Sequence, residues 1–349
     1  VRIAVANAQP AAVEILRRII ASIPGHDLAW TAASGQEALE KCRRDRPDLI
    51  LMDLALPILD GVQATGRIMK EIPCAILIVT ETVEHNAAKI FEAMGRGALD
   101  AVATPVTGPE AEGGRALIKK IGTIEKLLLK PPTAPRSGEP AKGAKAAEQP
   151  PLVAIGASTG GPRALADLLS GLPADLGAAL IIVQHVDAQF GRGLADWLDS
   201  QTPLKVEAAR EGAEAEAGKV LLAVTDDHLI LGADLAFHYT PEPRDYPYRP
   251  SVNAFFTSLV RHWPRRDVAA LLTGMGRDGA QGLAALRKAG WHTIAQDEKS
   301  SVVYGMPAAA AELDAAIEIL PIKEIAGAIR RRIAPNTHNT KPSRKDPKS

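Results

Sequence analysis

Residues Val153–Pro162 read VAIGASTGGP, and this stretch constrains the fold more than any other. Val153, Ala154 and Ile155 end a short apolar run of the kind that forms a buried strand. Gly156 opens a tight turn, Ser158 and Thr159 follow, and Gly160-Gly161 lead into Pro162. Beyond it, Ala164, Leu165, Leu168 and Leu169 recur at helical spacing. Proline suits a first helical turn because its missing N–H would have no partner there. A strand therefore hands over to a helix at Ser158, with the hydroxyl at the open end of a sheet beside helix N-terminal amides. An activated nucleophile is well served there. Taken alone, the stretch equally fits a turn that binds phosphate or only packs tightly. It lacks the glycine spacing of a dinucleotide fingerprint and the Gly-Lys-Ser/Thr of a P-loop.

The same strand-to-helix alternation runs through the rest of the chain. In residues 1–130, apolar runs at Ile3–Ala6, Leu28–Ala33, Leu49–Met52, Ala75–Thr80 and Ala101–Ala103 read as strands. Helical patterns start at Pro10 and cover Gly35–Arg44, Val62–Glu71, Asn86–Met94 and Arg115–Leu129. Five such units imply a doubly wound parallel sheet. Residues 131–150, PPTAPRSGEPAKGAKAAEQP, have no apolar face and read as a linker. A second α/β domain, 151–334, has strands at Leu152–Ala157, Ala179–His185, Val220–Val224, Ala269–Thr273 and Thr293–Ala295. Its helices are Gly193–Ser200, Asn253–His262 and Gly279–Lys288, and Gly218–Tyr239 reads as short strands and hairpins. The polar, basic stretch 335–349 reads as a disordered tail.

At 349 residues the chain is long enough for both domains to bury a core. Lysine plus arginine and aspartate plus glutamate each number 41, so the net charge is zero and no basic surface for nucleic acid is indicated. Two cysteines, Cys42 and Cys74, cannot make a disulfide framework. With no membrane-length apolar run and no signal-peptide pattern, a cytoplasmic protein is expected.

Asp53 ends the third strand, at the edge of an α/β sheet where ligands bind. The segment LMDLALPILDG, with Pro57 and Asp60-Gly61, resembles the receiver domain of two-component response regulators, a flavodoxin-like fold, over the whole first domain. The resemblance implies that Asp53 is a phosphoacceptor and Thr80 a switch hydroxyl. Receivers hold Mg²⁺ with an acidic pair after the first strand. Here that region reads Val5-Ala6-Asn7-Ala8-Gln9, and the first carboxylate is Glu14. Thr104 stands before Pro105 where receivers carry lysine. Mg²⁺ binds through one or two carboxylates plus phosphate oxygens. Weak Mg²⁺ binding, poor use of small phosphodonors and a pseudo-receiver that works by docking are therefore expected.

In the second domain, ALIIVQH ends a strand at His185, and LLTGMGRDGA carries Asp278 in a glycine-rich turn before a helix. Singly, His185 fits a structural histidine and Asp278 a helix N-cap. Together, Ser158, His185 and Asp278 each follow a buried strand at one sheet edge, as nucleophile, base and orienting carboxylate would. The order Ser…His…Asp is not that of α/β-hydrolases, and no GxSxG is present.

IGASTGGP, VQHV, YRPS at Tyr248–Ser251, LLTGMGRDGAQG and IAQDEKSSVVYGMP resemble the chemotaxis-type protein-glutamate methylesterases, the CheB family, over nearly the whole chain. The receiver departures are most similar to a WspF-type branch that serves surface sensing. The resemblance implies Ser158 as nucleophile on a receptor glutamate methyl ester, His185 as base and Asp278 as its orienter. It also implies an oxyanion site at the Met275 backbone N–H, lined by Thr159. Methanol and a glutamate carboxylate would be the products, glutamine deamidation a related activity, and no metal or organic cofactor would be needed. The implied partners are the cytoplasmic domain of a methyl-accepting chemoreceptor and a chemotaxis-type histidine kinase, with no nucleic acid and no membrane insertion. The rival reading is a catalytically inert scaffold carrying a pseudo-receiver.

Overall fold

The computed structural model describes residues 1–81, 86–129, 149–244, 246 and 248–333. Most of the expected linker and all of the expected tail fall outside these residues.

The first unit runs β1 (Arg2–Ala6), α1 (Pro10–Ala21), β2 (Asp27–Ala32), α2 (Gly35–Arg44), β3 (Leu49–Met52), α3 (Gly61–Glu71), β4 (Ala75–Thr80), α4 (Ala87–Gly95), β5 (Asp100–Ala103) and α5 (Glu112–Leu129). Its parallel strands lie in the order β2-β1-β3-β4-β5, one of the two common doubly wound arrangements. Strands β3 and β4 are buried throughout, as their unbroken apolar runs require of strands covered on both faces. Local signals set the helix starts. Pro10 opens α1, Ser34 Oγ accepts from Glu37 N–H at 3.1 Å, and Asp60 Oδ1 accepts from Gln63 N–H at 2.7 Å. The Asp60-Gly61 turn is thus the N-cap of α3. A side chain at Gly61 would collide with the Asp53 carbonyl, so α3 starts tight against the strand end that carries Asp53.

The second unit runs β6 (Leu152–Ala157), α6 (Gly161–Ser170), β7 (Ala179–Gln184), α7 (Ala188–Gln201), β8 (Lys205–Ala208), β9 (Ala213–Glu214), β10 (Lys219–Leu222), β11 (His228–Leu231), β12 (Ala236–Thr240), α8 (Val252–His262), β13 (Val268–Leu271), α9 (Ala280–Lys288), β14 (His292–Gln296), α10 (Met306–Glu312), β15 (Glu318–Leu320) and α11 (Ile322–Ile333). Seven parallel strands lie in the order β15-β14-β13-β6-β7-β10-β8. Strands β9, β11 and β12 form a small antiparallel sheet; the β11–β12 hairpin is in line with the hairpins read from Gly218–Tyr239, while β9 lies before that stretch. The chain leaves β6 toward β7 and later returns on its other side as β13. That reversal is a topological switch point, where ligands bind beyond the strand C-termini. The sequence pattern misses β8 and β15. Both are edge strands with alternating or partial exposure, so neither shows a continuous apolar run. No described helix is long and apolar enough to cross a membrane.

The two units share an apolar cluster that includes Ile90, Phe91 and Met94 of α4 and Ala164, Leu165 and Leu168 of α6. Helix α4 packs on α6 and α7. The Phe91 and Trp197 rings are 6.1 Å apart, and a side chain at Gly95 would press on Arg163 Cβ at 2.9 Å. Beside this contact Lys120 of α5 bridges Asp100 and Asp187, with Nζ 2.5 Å from Asp187 Oδ2. Burial alone would push the Lys120 ammonium down; the two carboxylates outweigh it and hold it above its ordinary range.

Candidate active site

Strand register brings the expected site residues to one place. Ala157 pairs with Gln184, so Ser158 and His185 leave β6 and β7 side by side. His185 N–H donates to Ala157 O at 3.0 Å, and Ser158 N–H donates to Thr273 O at 3.0 Å, beyond the end of β13. Gln184, fully buried, donates from Nε2 to Ser158 O at 2.8 Å and to His185 O at 3.0 Å, locking the two strand exits together. Next to them runs Gly274. A side chain there would stand 2.7 Å from Ser158 Cβ, so only glycine lets this turn pass under the serine.

His185 Nε2 is 2.8 Å from Asp278 Oδ2. A carboxylate only accepts, so Nε2 carries the proton and Nδ1 keeps its lone pair. Nδ1 is buried and has no partner. The Ser158 side chain likewise makes no hydrogen bond among the described residues, though it is almost fully buried. An imidazole nitrogen with a free lone pair and an unengaged hydroxyl, on adjacent strand ends, are the groups a serine nucleophile and its base require.

Asp278 is not the N-cap of the helix that follows it; Gly279 occupies that place in α9. Its carboxylate lies at the start of α8 instead. Oδ1 accepts from Ser251 Oγ at 2.9 Å and Asn253 N–H at 3.1 Å, and Oδ2 from Val252 N–H at 2.6 Å. Burial alone would push this carboxyl up. The hydrogen bonds and charge of His185, with those of Ser251 and Val252, outweigh it and hold the carboxyl below its ordinary range. Helix N-terminal amides favour an anion in the same way.

The Met275 backbone N–H makes no hydrogen bond among the described residues. Thr159 is buried beside the serine, and its carbonyl accepts from Thr273 Oγ1 at 2.9 Å. Thr273 Oγ1 also accepts from Val303 N–H at 3.0 Å, which fastens the SSVVYG loop against the site.

Tyr248 stacks flat on His185, with ring centroids 4.4 Å apart and planes 6° from parallel. Its hydroxyl lies against Gly276, where a φ of +83° and a close approach both call for glycine. Burial, helped by Asp278, pushes the Tyr248 phenol up to about 12, so it stays neutral. Sequence reasoning picked out YRPS as a motif without giving Tyr248 or Ser251 a role. Gln184, adjacent to His185, was also missed.

In the first unit, Asp53 is buried at the end of β3, and its Oδ1 accepts from Ala55 N–H at 3.2 Å. Burial pushes its carboxyl up, with Glu81 adding to the rise. Asn7 Oδ1 is taken by Gln9 N–H at 2.8 Å, and Gln9 Nε2 donates to Glu81 at 2.6 Å. The Thr80 hydroxyl accepts from Asn86 Nδ2 at 3.0 Å. The Thr104 hydroxyl is buried without a partner. These donors do not fit a receiver-type Mg²⁺ pocket, and among the described residues no cluster of three or more histidine, cysteine or acidic side chains could hold a metal.

Comparison with known proteins agrees with this arrangement. The CheB methylesterase family model matches residues 153–329, and the response regulator receiver domain model matches residues 3–111. A protein-glutamate methylesterase/protein-glutamine glutaminase of Mesorhizobium japonicum is 52% identical over 334 residues, 94% of this chain and 97% of that protein. A namesake from Burkholderia lata is 54% identical over 328 residues, 93% of this chain and 97% of its own length. The crystal structure of the Thermotoga maritima CheB methylesterase catalytic domain is 34% identical, with a TM-score of 0.50 over 52% of this chain and 97% of that one. With a receiver unit joined to a parallel-sheet unit that gathers Ser158, His185 and Asp278, this chain belongs to the CheB methylesterase family.

Proposed function

We propose that the chain hydrolyses glutamate methyl esters on chemoreceptors, and deamidates receptor glutamines, as a serine hydrolase. The observation that carries this is the His185–Asp278 pair, with a bare, buried Nδ1, on the strand end beside the one that carries Ser158. Ser158 Oγ attacks the ester carbonyl as His185 Nδ1 takes its proton. Asp278 stabilises the imidazolium, and the developing oxyanion is met by the Met275 N–H. The tetrahedral species collapses, and His185 returns the proton to the leaving oxygen, releasing methanol. With a glutamine side chain the leaving group is ammonia. Water, deprotonated by His185, then cleaves the acyl-serine to give a glutamate carboxylate and free Ser158. The test is methanol release from methylated receptor cytoplasmic domain. No release by folded protein refutes the activity.

The first unit is proposed to restrain this chemistry. It grips α6, α7 and Asp187, the elements that follow Ser158 and His185. Lys120→Met leaves the partly exposed Asp100 and Asp187 carboxylates facing each other without their shared cation, which loosens the contact between the two units. Methanol release by the full chain is expected to rise at least about fivefold, and removal of residues 1–130 to set the upper limit. A Lys120→Met rate equal to wild type, with the truncated chain no faster, counts against restraint.

Release of the restraint is proposed to come from docking to the receptor array or from a chemotaxis-type histidine kinase that phosphorylates Asp53. A phosphoryl group brings a charge of about −1.5 to −2, and Asn7 and Thr104 offer nothing to neutralise it. Incubation with acetyl phosphate and Mg²⁺ is therefore expected to leave the intact mass unchanged. Rapid stoichiometric gain of one phosphoryl group, lost in Asp53→Ala, would reverse that view.

A further inference from the structure

We infer that a second histidine, His228, is a positioning residue for the triad: it bonds the backbone at Pro243 and at Ser251 and so sets the places of Tyr248 and Asp278. This rests on the roles proposed above for Ser158, His185 and Asp278.

His228 opens β11 and is fully buried. Its Nε2 is 3.1 Å from Pro243 O, and its Nδ1 is 3.0 Å from Ser251 N. A carbonyl only accepts and an amide only donates, so Nε2 carries the proton and Nδ1 offers its lone pair. The two backbone partners fix one neutral tautomer between them. Tyr246, within the same segment, meets the His228 ring edge-on at 5.7 Å and 73°. Burial also holds the His228 imidazolium below the ordinary histidine range, which agrees with a neutral ring.

What the staple holds is the second layer of the site. Tyr248, between the two stapled ends, is the ring stacked on His185. Ser251, at the far end, caps α8 and donates to Asp278 Oδ1, while the next two amides donate to the same carboxylate. Three of the four groups that hold Asp278 thus come from Ser251–Asn253, the fourth being His185. The Ser251 amide itself is held from behind by His228 alone. His228 touches neither the serine nor the carbonyl it attacks. Loss of the Nδ1 acceptor leaves the Ser251 N–H buried without a partner, which frees the start of α8 to shift. Displacement of a catalytic group by about 1 Å can cost on the order of 10²-fold in rate.

The test uses the full chain and methanol release, with Ser158→Ala as the reference for the triad itself. His228→Asn keeps an acceptor near the Nδ1 position, His228→Gln keeps only a donor toward Pro243, and His228→Leu keeps neither. Leu and Gln are expected to lower kcat on the order of 10²-fold with KM for the receptor unchanged, and Asn to recover most of that loss. Nitrogen-15 histidine NMR of the wild type should show His228 protonated at Nε2 only. The His185 Nε2–H resonance should be kept in Asn and altered in Leu and Gln. The proposal is overturned if wild-type His228 is protonated at Nδ1, or if folded Leu or Gln variants keep wild-type kcat. Equal impairment of Asn and Gln with an unchanged His185 resonance also overturns it. Should Leu fail to fold, the wild-type tautomer and the Asn–Gln contrast still decide. An active Ser158→Ala would instead refute the triad, while the NMR arms go on reporting on the staple.

Discussion

Ser158→Ala is expected to abolish methanol release and to leave the protein as stable as the wild type. The turn around Ser158 is held by its backbone. Its N–H donates to Thr273 O, and its carbonyl accepts from Gln184 Nε2 and from Gly161 N–H. Alanine keeps all three bonds. The hydroxyl engages no protein group among the described residues, so its removal strands no buried partner. Chemistry loses everything, because alanine carries no group that can attack the ester in place of the proposed nucleophile. In serine triads the loss of the nucleophile costs on the order of 10⁶ in turnover. Methanol release with circular dichroism and a thermal melt on the same sample checks both halves. Undiminished release from folded Ser158→Ala would remove the serine from the mechanism.

Asp278→Asn is expected to lower turnover by on the order of 10⁴, the loss seen when a triad aspartate becomes asparagine, and to lower stability as well. The amide has one acceptor oxygen where the carboxylate has two. If that oxygen faces His185 Nε2 and Val252 N–H, the NH₂ group confronts Asn253 N–H, and one buried donor loses its partner at a cost of about 1–3 kcal/mol. If the amide turns over, it faces His185 donor to donor and drives the imidazole to the other tautomer, which puts a proton on Nδ1. Either way the imidazolium loses its counter-charge. Linkage gives the pH dependence. Folding depresses the Asp278 pKa, so its contribution to stability is complete above the ordinary carboxylate range. That contribution is lost as pH falls through the depressed folded value. The wild type should therefore lose stability relative to Asp278→Asn as the solution is acidified, read as converging melting temperatures. A variant that melts early yet whose folded fraction turns over at the wild-type rate would reduce Asp278 to a structural role.

Ser158, His185 and Asp53 were legible in the sequence because each ends a continuous apolar strand, and a sheet edge follows from local pattern alone. Asp278 was legible as a residue but not in its setting. A local reading finds a cap for the next helix, which begins at Ala280, whereas this carboxylate caps a helix that begins 26 residues earlier in the chain. Tyr248 and His228 carried no local signal of their own. A stacked ring and a stapled segment are tertiary facts, and only the YRPS motif marked the neighbourhood. Lys120 drew no reading from the sequence, since its reach to Asp187 depends on how the two units dock. In the receiver unit the missing acidic pair and lysine were fully legible, because what matters there is residue type at the ends of strands.

The grip of α4 and α5 bears on how control of this enzyme would look in kinetics. A lid laid over the mouth of a site competes with substrate, and its removal lowers KM. The receiver instead holds the helices that begin just after Ser158 and His185, and its buried lysine is fastened to a residue two positions past the base. Restraint exerted there would act through the spacing of Ser158 and His185. If the restraint proposed above acts through these helices, its release is expected to raise kcat and leave KM for the receptor unchanged, which methanol release at varied receptor concentration checks.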